Sequence, residues 1–317
     1  MRMLITRPMP ERVAAAARAR FDVTQRDSNA PCAMAEMTAA LRAHDVVLAS
    51  LGDAFAAPVF AAVSAPRCRL IANFGVGFNH IDVAAARAAG IAVTNTPGAV
   101  TDATADIAMT LILMTARRAG EGERLVRSGL WAGWHPTQML GMHVTGKTVG
   151  IIGMGRIGKA IARRCHHGFG MTVKFFNRSP VAAPGVPAEQ VDSLPALLGA
   201  VDVVVIAVPG GAGTRHLIDG TALAAMRPDA ILVNIARGEI VEEAALIAAL
   251  EQGAIAGAGL DVYEFEPQVP DALRRREDVV LLPHLGTAAL EVREEMGMMA
   301  LENAIAHLEA RPLPNPV

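Results

Sequence analysis

Residues 148–179 read TVGIIGMGRIGKAIARRCHHGFGMTVKFFNRS. An apolar run at 149–152 leads into the glycine turn GMGRIG at 153–158, and a second apolar run follows at 173–176 after a helix-compatible segment. Strand, glycine turn, helix and strand in this order are typical of a dinucleotide-binding βαβ unit. The stretch therefore predicts a Rossmann-like domain with a nucleotide cofactor.

Each glycine of the turn is expected to have a different structural role. Gly153 permits the tight turn, Gly155 lets the backbone approach a pyrophosphate, and Gly158 allows the helix to pack closely on the strand. The helix that follows presents free N–H groups and the positive end of its dipole to the phosphates. We therefore expect the phosphates of the cofactor at this turn.

The second strand of the unit ends without the acidic residue that an NAD site usually carries. That Asp or Glu stands about 20 residues further on and bonds the ribose hydroxyls. Asn177 is found there instead, followed by Arg178 and Ser179. A guanidinium and a hydroxyl suit a 2′-phosphate, which a carboxylate would repel. The stretch predicts NADP(H) as the preferred cofactor and NAD(H) as a second one; the alternative is that Arg178 is a solvated loop residue.

Composition limits the class of protein. A chain of 317 residues is long enough for two domains, and 52% hydrophobic content with 4% aromatic content predicts an aliphatic core. The net charge of −2 does not favour a nucleic-acid or membrane-surface partner. Three widely spaced cysteines predict neither disulfides nor a metal site. The N-terminus lacks a signal-peptide core, and the longest apolar run, 107–114, is too short for a bilayer, so we expect a cytoplasmic protein.

Short apolar runs alternate with helical patterns along the chain, which predicts an α/β fold with two Rossmann-like or flavodoxin-like domains, each with a parallel sheet, separated by an active-site cleft. The predicted strands are 2–6, 45–49, 69–73, 91–95, 149–152, 173–176, 201–208, 231–235, 259–262 and 279–282. The predicted helices are 11–20, 83–89, 103–118, 159–165, 242–252 and 289–310.

The domain boundaries follow from the two runs of alternating strands and helices, and from the expectation that the helix after the last strand packs on the first domain. We expect residues 1–98, joined by residues 290–317, to form a substrate domain, and residues 99–289 to form the dinucleotide-binding domain. Residues 119–146 contain both tryptophans and show little periodicity, so they predict an extended arm or loop. The motif GMHVTGKT at 141–148 matches a P-loop pattern, but it leads into a strand rather than a helix, so we interpret it as a chance match.

Three polar residues each follow a predicted strand of the second domain. Arg237 follows 231–235, Glu266 follows 259–262, and His284 follows 279–282. Carboxyl ends of parallel strands face the ligand crevice. Arginine suits a substrate carboxylate, and an imidazole paired with a carboxylate can donate a proton near neutral pH. Each residue taken singly could be structural, but together they predict hydride transfer to a carbonyl.

The chain resembles the D-isomer-specific 2-hydroxyacid dehydrogenase family, and most of all its glyoxylate/hydroxypyruvate reductase branch. The segments that carry the resemblance follow the order of that family over nearly the whole chain. They are NFGVGFNHID at 73–82, NTP at 95–97, TDATAD at 101–106, GLWAGW at 129–134, the glycine turn, NIARG at 234–238, DVYEFEP at 261–267 and PHLG at 283–286.

The resemblance implies a role for each matching position. Arg237 would bind the substrate carboxylate and carbonyl, His284 would be the proton donor in reduction, and Glu266 would keep His284 protonated. The backbone of Val76 and Gly77 would also bind the substrate. Trp134 would reach a neighbouring subunit's site, which implies a homodimer. No metal is implied, and the cofactor site would be lined by Val100, Thr104, Gly153, Gly155, Arg156, Ile157, Gly158, Asn177, Arg178, Ser179, Val208, Pro209, Thr214, Ile235, Ala236, Asp261, His284 and Gly286.

The function that this resemblance implies is NADPH-dependent reduction of a small 2-oxoacid, such as glyoxylate or hydroxypyruvate, to a D-2-hydroxy acid. Alternatives are reduction of a sugar-derived acid such as 2-ketogluconate, or a dinucleotide-sensing, corepressor-like binding protein. A phosphorylated hydroxy acid is less favoured, because no extra cluster of Arg and Lys surrounds 76–82. One departure is GGAGT at 210–214, where relatives usually carry a Leu-Thr-Pro-type loop; it is expected to loosen the lid on the adenine side.

Overall fold

The structure, a computed structural model, describes residues 1–317, and its contacts divide the chain into two units: Met1–Val100 with Ala288–Val317, and Thr101–Thr287. The first unit opens with alternating strands and helices. They are β1 Arg2–Ile5, α1 Glu11–Arg18, β2 Asp22–Gln25, α2 Met34–Ala43, β3 Val46–Ser50, α3 Ala57–Ala61, β4 Leu70–Phe74, α4 Val83–Ala88 and β5 Ala92–Thr94. The five strands are parallel in the order β2-β1-β3-β4-β5, which is the flavodoxin-like order.

The second unit contains a larger parallel sheet. Its helices and strands are α5 Thr101–Ala116, α6 Ala119–Arg127, β6 Thr148–Ile152, α7 Arg156–Arg163, β7 Thr172–Phe176, β8 Ala188–Gln190, α8 Leu194–Leu198, β9 Val203–Ile206, α9 Gly220–Ala224, β10 Ile231–Asn234, α10 Glu243–Glu251, β11 Gly257–Leu260, α11 Asp271–Arg274 and β12 Val279–Leu281. A π-helical turn, Arg164–Gly168, extends α7, and a 3₁₀ turn, Gly238–Ile240, follows β10. The strand order is β12-β11-β10-β9-β6-β7-β8. This is the Rossmann order with one added strand, and the order reverses between β6 and β9, where such folds bind their ligands.

The last helix, α12 Leu290–Leu308, packs in the first unit against α1 and β4. Gly297 makes the contact with α1 close, because a Cβ atom at this position would overlap the side chain of Val13. Buried residues of α12 share one core cluster with β1, β3 and β4. The helix therefore covers one face of the first sheet.

The central strands of the second sheet are buried on both faces. Alternate residues of β9 enter different core clusters: Val203 and Val205 pack with α5 and α7, whereas Val204 and Ile206 pack with α8, α9 and α10. Parallel sheets covered by helices on both sides have strands of this continuous apolar type. The predicted α/β fold with two parallel sheets is confirmed.

The prediction that residues 119–146 lack regular structure is wrong for their first third, which forms α6. Charged side chains conceal this helix in the sequence: Arg127 pairs with Glu123 one turn away, and Arg118 pairs with Glu121. Such pairs stabilise a helix without creating an apolar stripe. Residues 130–147 contain no helix or strand. The segment 141–148 does lead into β6, so the P-loop match is indeed accidental.

The edge strands β2 and β8 are missing from the predicted set. Both are short and largely exposed or half-buried, so they lack the apolar run that identifies a central strand. None of the helices combines the length and hydrophobicity that a bilayer crossing requires. The three cysteines are buried, and burial raises the pKa of Cys32 to about 11 and those of Cys68 and Cys165 to about 12.

Candidate active site

The glycine turn lies at the reversal point of the second sheet, directly after β6. Gly153 has a φ of 98°, and a Cβ atom there would lie 2.9 Å from the Ala207 carbonyl oxygen, so only glycine fits. At Gly158 a Cβ atom would overlap the Gly153 carbonyl oxygen. Gly155, in contrast, faces open space, and no side chain caps the N-terminus of α7. This turn therefore fits a dinucleotide pyrophosphate, which free helix N–H groups bind.

The loop after β7 has a defined conformation in the structure. The Met154 N–H donates to Asn177 Oδ1 at 3.3 Å, and Asn177 Nδ2 donates to the Ser179 carbonyl oxygen at 2.9 Å. Arg178 is exposed and forms no hydrogen bond or ion pair with the protein, and the same holds for Arg156 at the start of α7. One guanidinium without a protein partner therefore lies within the turn and another lies in the loop after β7, and the donors of both are available for anionic groups.

His284 and Glu266 form a hydrogen-bonded pair. His284 Nδ1 lies 3.0 Å from Glu266 Oε2, and both side chains are about one-third exposed. Burial raises the pKa of Glu266, but the hydrogen bond and charge of His284, the Tyr263 N–H and the charge of Arg237 outweigh it, so the pKa lies below its usual value of 4.5. The carboxylate is therefore ionised at neutral pH.

The backbone around His284 is held by Asp261. His284 itself has a φ of 56°, a left-handed conformation that is costly for a residue with a Cβ atom. The buried carboxylate of Asp261 accepts from the N–H groups of Leu285 at 2.6 Å and Gly286 at 2.8 Å, and Thr104 Oγ1 donates to the Gly286 carbonyl at 3.1 Å. Burial raises the pKa of Asp261, although these N–H groups oppose the shift. The contacts fix the peptide in the conformation that directs His284 to Glu266.

Tyr263, the only tyrosine of the chain, bonds to Glu266 and to the backbone just before His284. It was not among the predicted site residues. Its hydroxyl donates to the Leu282 carbonyl at 2.9 Å, two residues before His284. Its N–H donates to Glu266 Oε1 at 3.1 Å. A buried hydroxyl needs a partner of this kind. The presence of a single tyrosine beside Glu266 was the one signal in the sequence that could have identified it.

Arg237 follows β10 and has no acidic partner. Its Nη1 donates to the Ala236 carbonyl at 2.6 Å, and no ion pair is formed. Burial lowers its pKa, while the charges of Glu266 and Glu239 oppose that effect; an arginine stays protonated all the same. A half-buried guanidinium with most of its donors unused is suited to a carboxylate.

Gly238 explains why Arg237 lies beside the turn that carries Glu266. A Cβ atom at Gly238 would overlap the backbone carbonyl of Tyr263. Glycine thus allows the chain after β10 to contact the chain after β11 directly. Neighbouring parallel strands carry both segments, so their carboxyl ends meet on one edge of the sheet.

The glycine-rich segment 210–214 forms hydrogen bonds, and its expected loosening of the lid on the adenine side stays a prediction. The Gly211 N–H donates to Glu239 Oε1 at 2.8 Å, and Thr214 Oγ1 donates to the Pro209 carbonyl at 2.7 Å. A Cβ atom at Gly210 would lie 2.8 Å from Cγ of Arg237. The absence of a side chain at this position therefore makes room for the arginine.

In the first unit, the turn after β4 presents N–H groups and turns its carbonyls inward. Asn73 Nδ2 donates to the carbonyls of Gly75 and Gly77, each at 3.0 Å, and Asn95 Nδ2 donates to that of Val76 at 2.9 Å. The N–H groups of Val76 and Gly77 bond to no protein acceptor. A turn with free N–H groups suits an anion. The two asparagines are further residues that the sequence did not identify as functional.

The remaining predicted residues differ in their surroundings. Val208 packs on Gly153, where a Cβ atom would lie 2.7 Å from its Cγ1. Ile235 and Ala236 are buried after β10, and Val100 is buried at the end of the first unit. Trp134 is 79% exposed. Ile157 is half-buried in α7 and packs against the core rather than facing open space.

A phosphate-binding turn at the switch point of a Rossmann sheet, combined with a carboxylate-paired imidazole in the same unit, defines the class of nicotinamide-dependent dehydrogenases. Residues 109–286 match the family model described as D-isomer specific 2-hydroxyacid dehydrogenase, NAD binding domain. This chain belongs to that family. It is an oxidoreductase that acts on a CH–OH group and uses a nicotinamide dinucleotide.

Named relatives align over almost the whole chain. A glyoxylate reductase of Thermococcus kodakarensis is 44% identical over 311 residues, 96% of this chain and 92% of that protein. An NADPH-dependent glyoxylate/hydroxypyruvate reductase from Sinorhizobium meliloti, solved in complex with NADP and malonate, superposes with a TM-score of 0.89 at 36% identity and covers 100% of this chain and 96% of that one. A glyoxylate reductase from Paecilomyes thermophila superposes with a TM-score of 0.88 at 33% identity and covers 100% and 98%.

Proposed function

We propose that this protein reduces a small 2-oxoacid such as glyoxylate or hydroxypyruvate to a D-2-hydroxy acid, with NADPH as its preferred reductant. One observation carries the proposal: His284 is paired with an ionised Glu266, whose pKa is lowered in part by an Arg237 that has no acidic partner of its own. A proton donor and a carboxylate-binding cation are thus electrostatically coupled. Names of the relatives support the substrate class.

Each residue then has one chemical task. Arg237 binds the carboxylate of the oxoacid and orients its carbonyl group. His284 donates the proton to the carbonyl oxygen from Nε2, while its Nδ1–H remains bonded to Glu266. When bound, the reduced nicotinamide supplies the hydride. Glu266 stabilises the protonated imidazole before the transfer, and Asp261 maintains the backbone that carries it.

The preference for NADPH is supported by the loop after β7. The loop contains no acidic residue between Asn177 and Ser179, and the exposed Arg178 has no protein partner to lose when it binds a phosphate. A guanidinium can bind a phosphate through two parallel hydrogen bonds. The S. meliloti relative was solved with NADP.

The roles of Val76 and Gly77 in substrate binding, and of Trp134 in a homodimer, stay predictions. The dimer has support from a set of large apolar side chains on the arm that are more than half exposed, which is unusual on a monomer. They are Leu130, Trp131, Trp134 and Leu140. A cytoplasmic location likewise stays a prediction.

A panel of oxoacids tests the proposed activity. We expect NADPH oxidation with glyoxylate and hydroxypyruvate to have a kcat/KM at least about tenfold higher than with 2-ketogluconate, because the assigned residues bond only to the oxoacid end and leave the other hydroxyls of a sugar acid without partners. Absorbance of the reduced cofactor provides the measurement. Preference for 2-ketogluconate would instead indicate a sugar-acid reductase. Tight NADPH binding without turnover of any oxoacid would favour the sensor function.

Arg178→Ala tests the cofactor assignment. Loss of a charge-assisted bond should lower kcat/KM for NADPH about 10-fold to 100-fold, and should change that for NADH less than about twofold. The matched control is Arg117→Ala, which removes another exposed arginine without a protein partner. Steady-state rates with both cofactors at a fixed glyoxylate concentration give the ratio. Equal losses for the two cofactors would contradict the assignment.

A further inference from the structure

We propose that Gln190 is a specificity-determining positioning residue, which holds the loop after β7 in the conformation that accepts the 2′-phosphate of NADPH. The inference rests on the proposed preference for NADP(H) and extends it to a residue 12 positions beyond Arg178 in the sequence. Gln190 is the last residue of the edge strand β8 and lies opposite Phe175 of β7. It is therefore placed at the carboxyl end of the sheet, beside the loop that β7 leads into.

The side-chain amide of Gln190 makes three hydrogen bonds to that loop. Its Nε2 donates to the carbonyl of Asn177 at 3.2 Å and to the carbonyl of Ser179 at 3.1 Å. Its Oε1 accepts from the Val181 N–H at 3.0 Å. One amide thus uses both its donor and its acceptor, and it contacts the residues on either side of Arg178.

These bonds decide which backbone groups can face an anion. The carbonyl oxygens of Asn177 and Ser179 are directed to Gln190, and the Ser179 carbonyl also accepts from Asn177 Nδ2. A carbonyl oxygen carries partial negative charge and would repel a phosphate, so its engagement inside the protein removes that repulsion. The side chain of Arg178, in contrast, forms no hydrogen bond or ion pair with the protein. The loop therefore presents its cation while its carbonyls are bonded elsewhere.

The same loop is connected to the glycine turn. Asn177 Oδ1 accepts from the Met154 N–H at 3.3 Å, so a shift of the loop would also affect the pyrophosphate site. A side chain with a purely structural role would then weaken NADPH and NADH equally. A positioning role for the 2′-phosphate predicts a loss that is specific to the phosphorylated cofactor.

Two variants and a control separate these outcomes. Gln190→Met keeps the length of the side chain and removes all three bonds. Gln190→Glu keeps the acceptor for Val181 but loses the donor to both carbonyls, and adds a negative charge near the phosphate. Gln252→Met is the control, since Gln252 is exposed at the end of α10 and its side chain forms no hydrogen bond. Thermal unfolding of each variant reports whether the fold is kept.

The experiment measures the binding of two adenine nucleotides as well as the rates with both cofactors. Adenosine 2′,5′-bisphosphate serves as a competitive inhibitor that carries the 2′-phosphate, and 5′-AMP serves as its partner without it. We expect Gln190→Met to raise the inhibition constant of the bisphosphate about fivefold to tenfold, and that of 5′-AMP less than about twofold. Gln190→Glu should raise the first constant further, because it adds electrostatic repulsion. The ratio of kcat/KM for NADPH and NADH should fall in parallel.

The results also distinguish this inference from the cofactor assignment. If Arg178→Ala lowers the NADPH preference but both Gln190 variants leave it unchanged, the cofactor assignment stands and the role of Gln190 is wrong. Equal weakening of both inhibitors by the folded Gln190 variants also overturns the role, since it indicates a general structural contact. If Arg178→Ala has no selective effect, the NADPH assignment itself fails.

Discussion

Replacement of His284 by glutamine should lower kcat for oxoacid reduction about 10³-fold, within the range of about 10²-fold to 10⁴-fold that general acid catalysis contributes. The amide can still bond to Glu266, so the fold is kept, but it cannot deliver a proton. The KM for NADPH should change less than about threefold, because no phosphate contact is removed. Single-turnover measurement at saturating glyoxylate isolates the chemical step. A kcat within about tenfold of wild type would rule out His284 as the proton donor.

Two further measurements make this test specific. His167→Gln alters an exposed histidine that forms no hydrogen bond, and it should leave kcat unchanged. In Glu266→Gln the acid His284 remains, but its partner is a neutral amide in place of a carboxylate. The loss of kcat should therefore be smaller, about tenfold to 100-fold.

Since the pKa of Glu266 lies below 4.5, its carboxylate keeps its charge as the pH falls from about 7 to about 5. The ion pair with His284 is lost only when the pH passes through that lowered pKa. The wild-type rate of reduction should therefore not decline over this interval.

Replacement of Arg237 by alanine should lower kcat/KM for glyoxylate about 10²-fold to 10³-fold, because removing one partner of a desolvated charge pair costs about 3–4 kcal/mol. Arg237→Lys keeps the charge but not the planar fork, and we expect it to recover only part of the activity. Stability should change little, since the guanidinium bonds only to the adjacent Ala236 carbonyl. Thermal unfolding and steady-state kinetics provide the two readouts.

A substrate without a carboxylate tests the role of Arg237 more specifically. Glycolaldehyde has a reducible carbonyl but no carboxylate, so wild-type enzyme should prefer glyoxylate over it, and Arg237→Ala should abolish most of that preference. Arg117→Ala, which lacks a contact with the site, should leave the preference unchanged. If Arg237→Ala reduced activity towards both compounds by the same factor, the arginine would have a structural role and not a carboxylate-binding one.

The central strands were predictable because their chemistry is local. A parallel strand covered by helices on both faces is apolar over most of its length, and the strands β3, β4, β6, β9 and β10 show this pattern, with polar residues only at or next to their ends. The edge strands β2 and β8 have one exposed side and no such run. The helix α6 is likewise stabilised by charged pairs that leave no apolar stripe. Among the strands, prediction was therefore accurate where burial dictates composition and failed at the exposed edges of the sheets.

The candidate site divides in a similar way. Arg237, Glu266 and His284 each follow a strand, and a parallel sheet brings the carboxyl ends of its strands to one edge, so their neighbourhood could be inferred. Tyr263 also follows a predicted strand, but this position does not reveal the atoms to which it bonds, and Gln190 ends a strand that was not predicted. The contribution of each depends on hydrogen bonds to backbone atoms, 19 residues away for Tyr263 and 9–13 residues away for Gln190, and backbone atoms carry no signature in a sequence.

By itself, the sequence determined the βαβ unit at 148–179, the type of each sheet, the chemical types of the site residues and the absence of an acidic residue at the end of β7. These properties depend on residue type and on short-range spacing, which a sequence states directly. Only the tertiary structure decided the left-handed backbone of His284, its 3.0 Å pairing with Glu266, and the freedom of Arg178 and Arg237 from acidic partners. Distances of this kind arise from the packing of segments far apart in the chain, and they decide which charged groups remain available to a ligand.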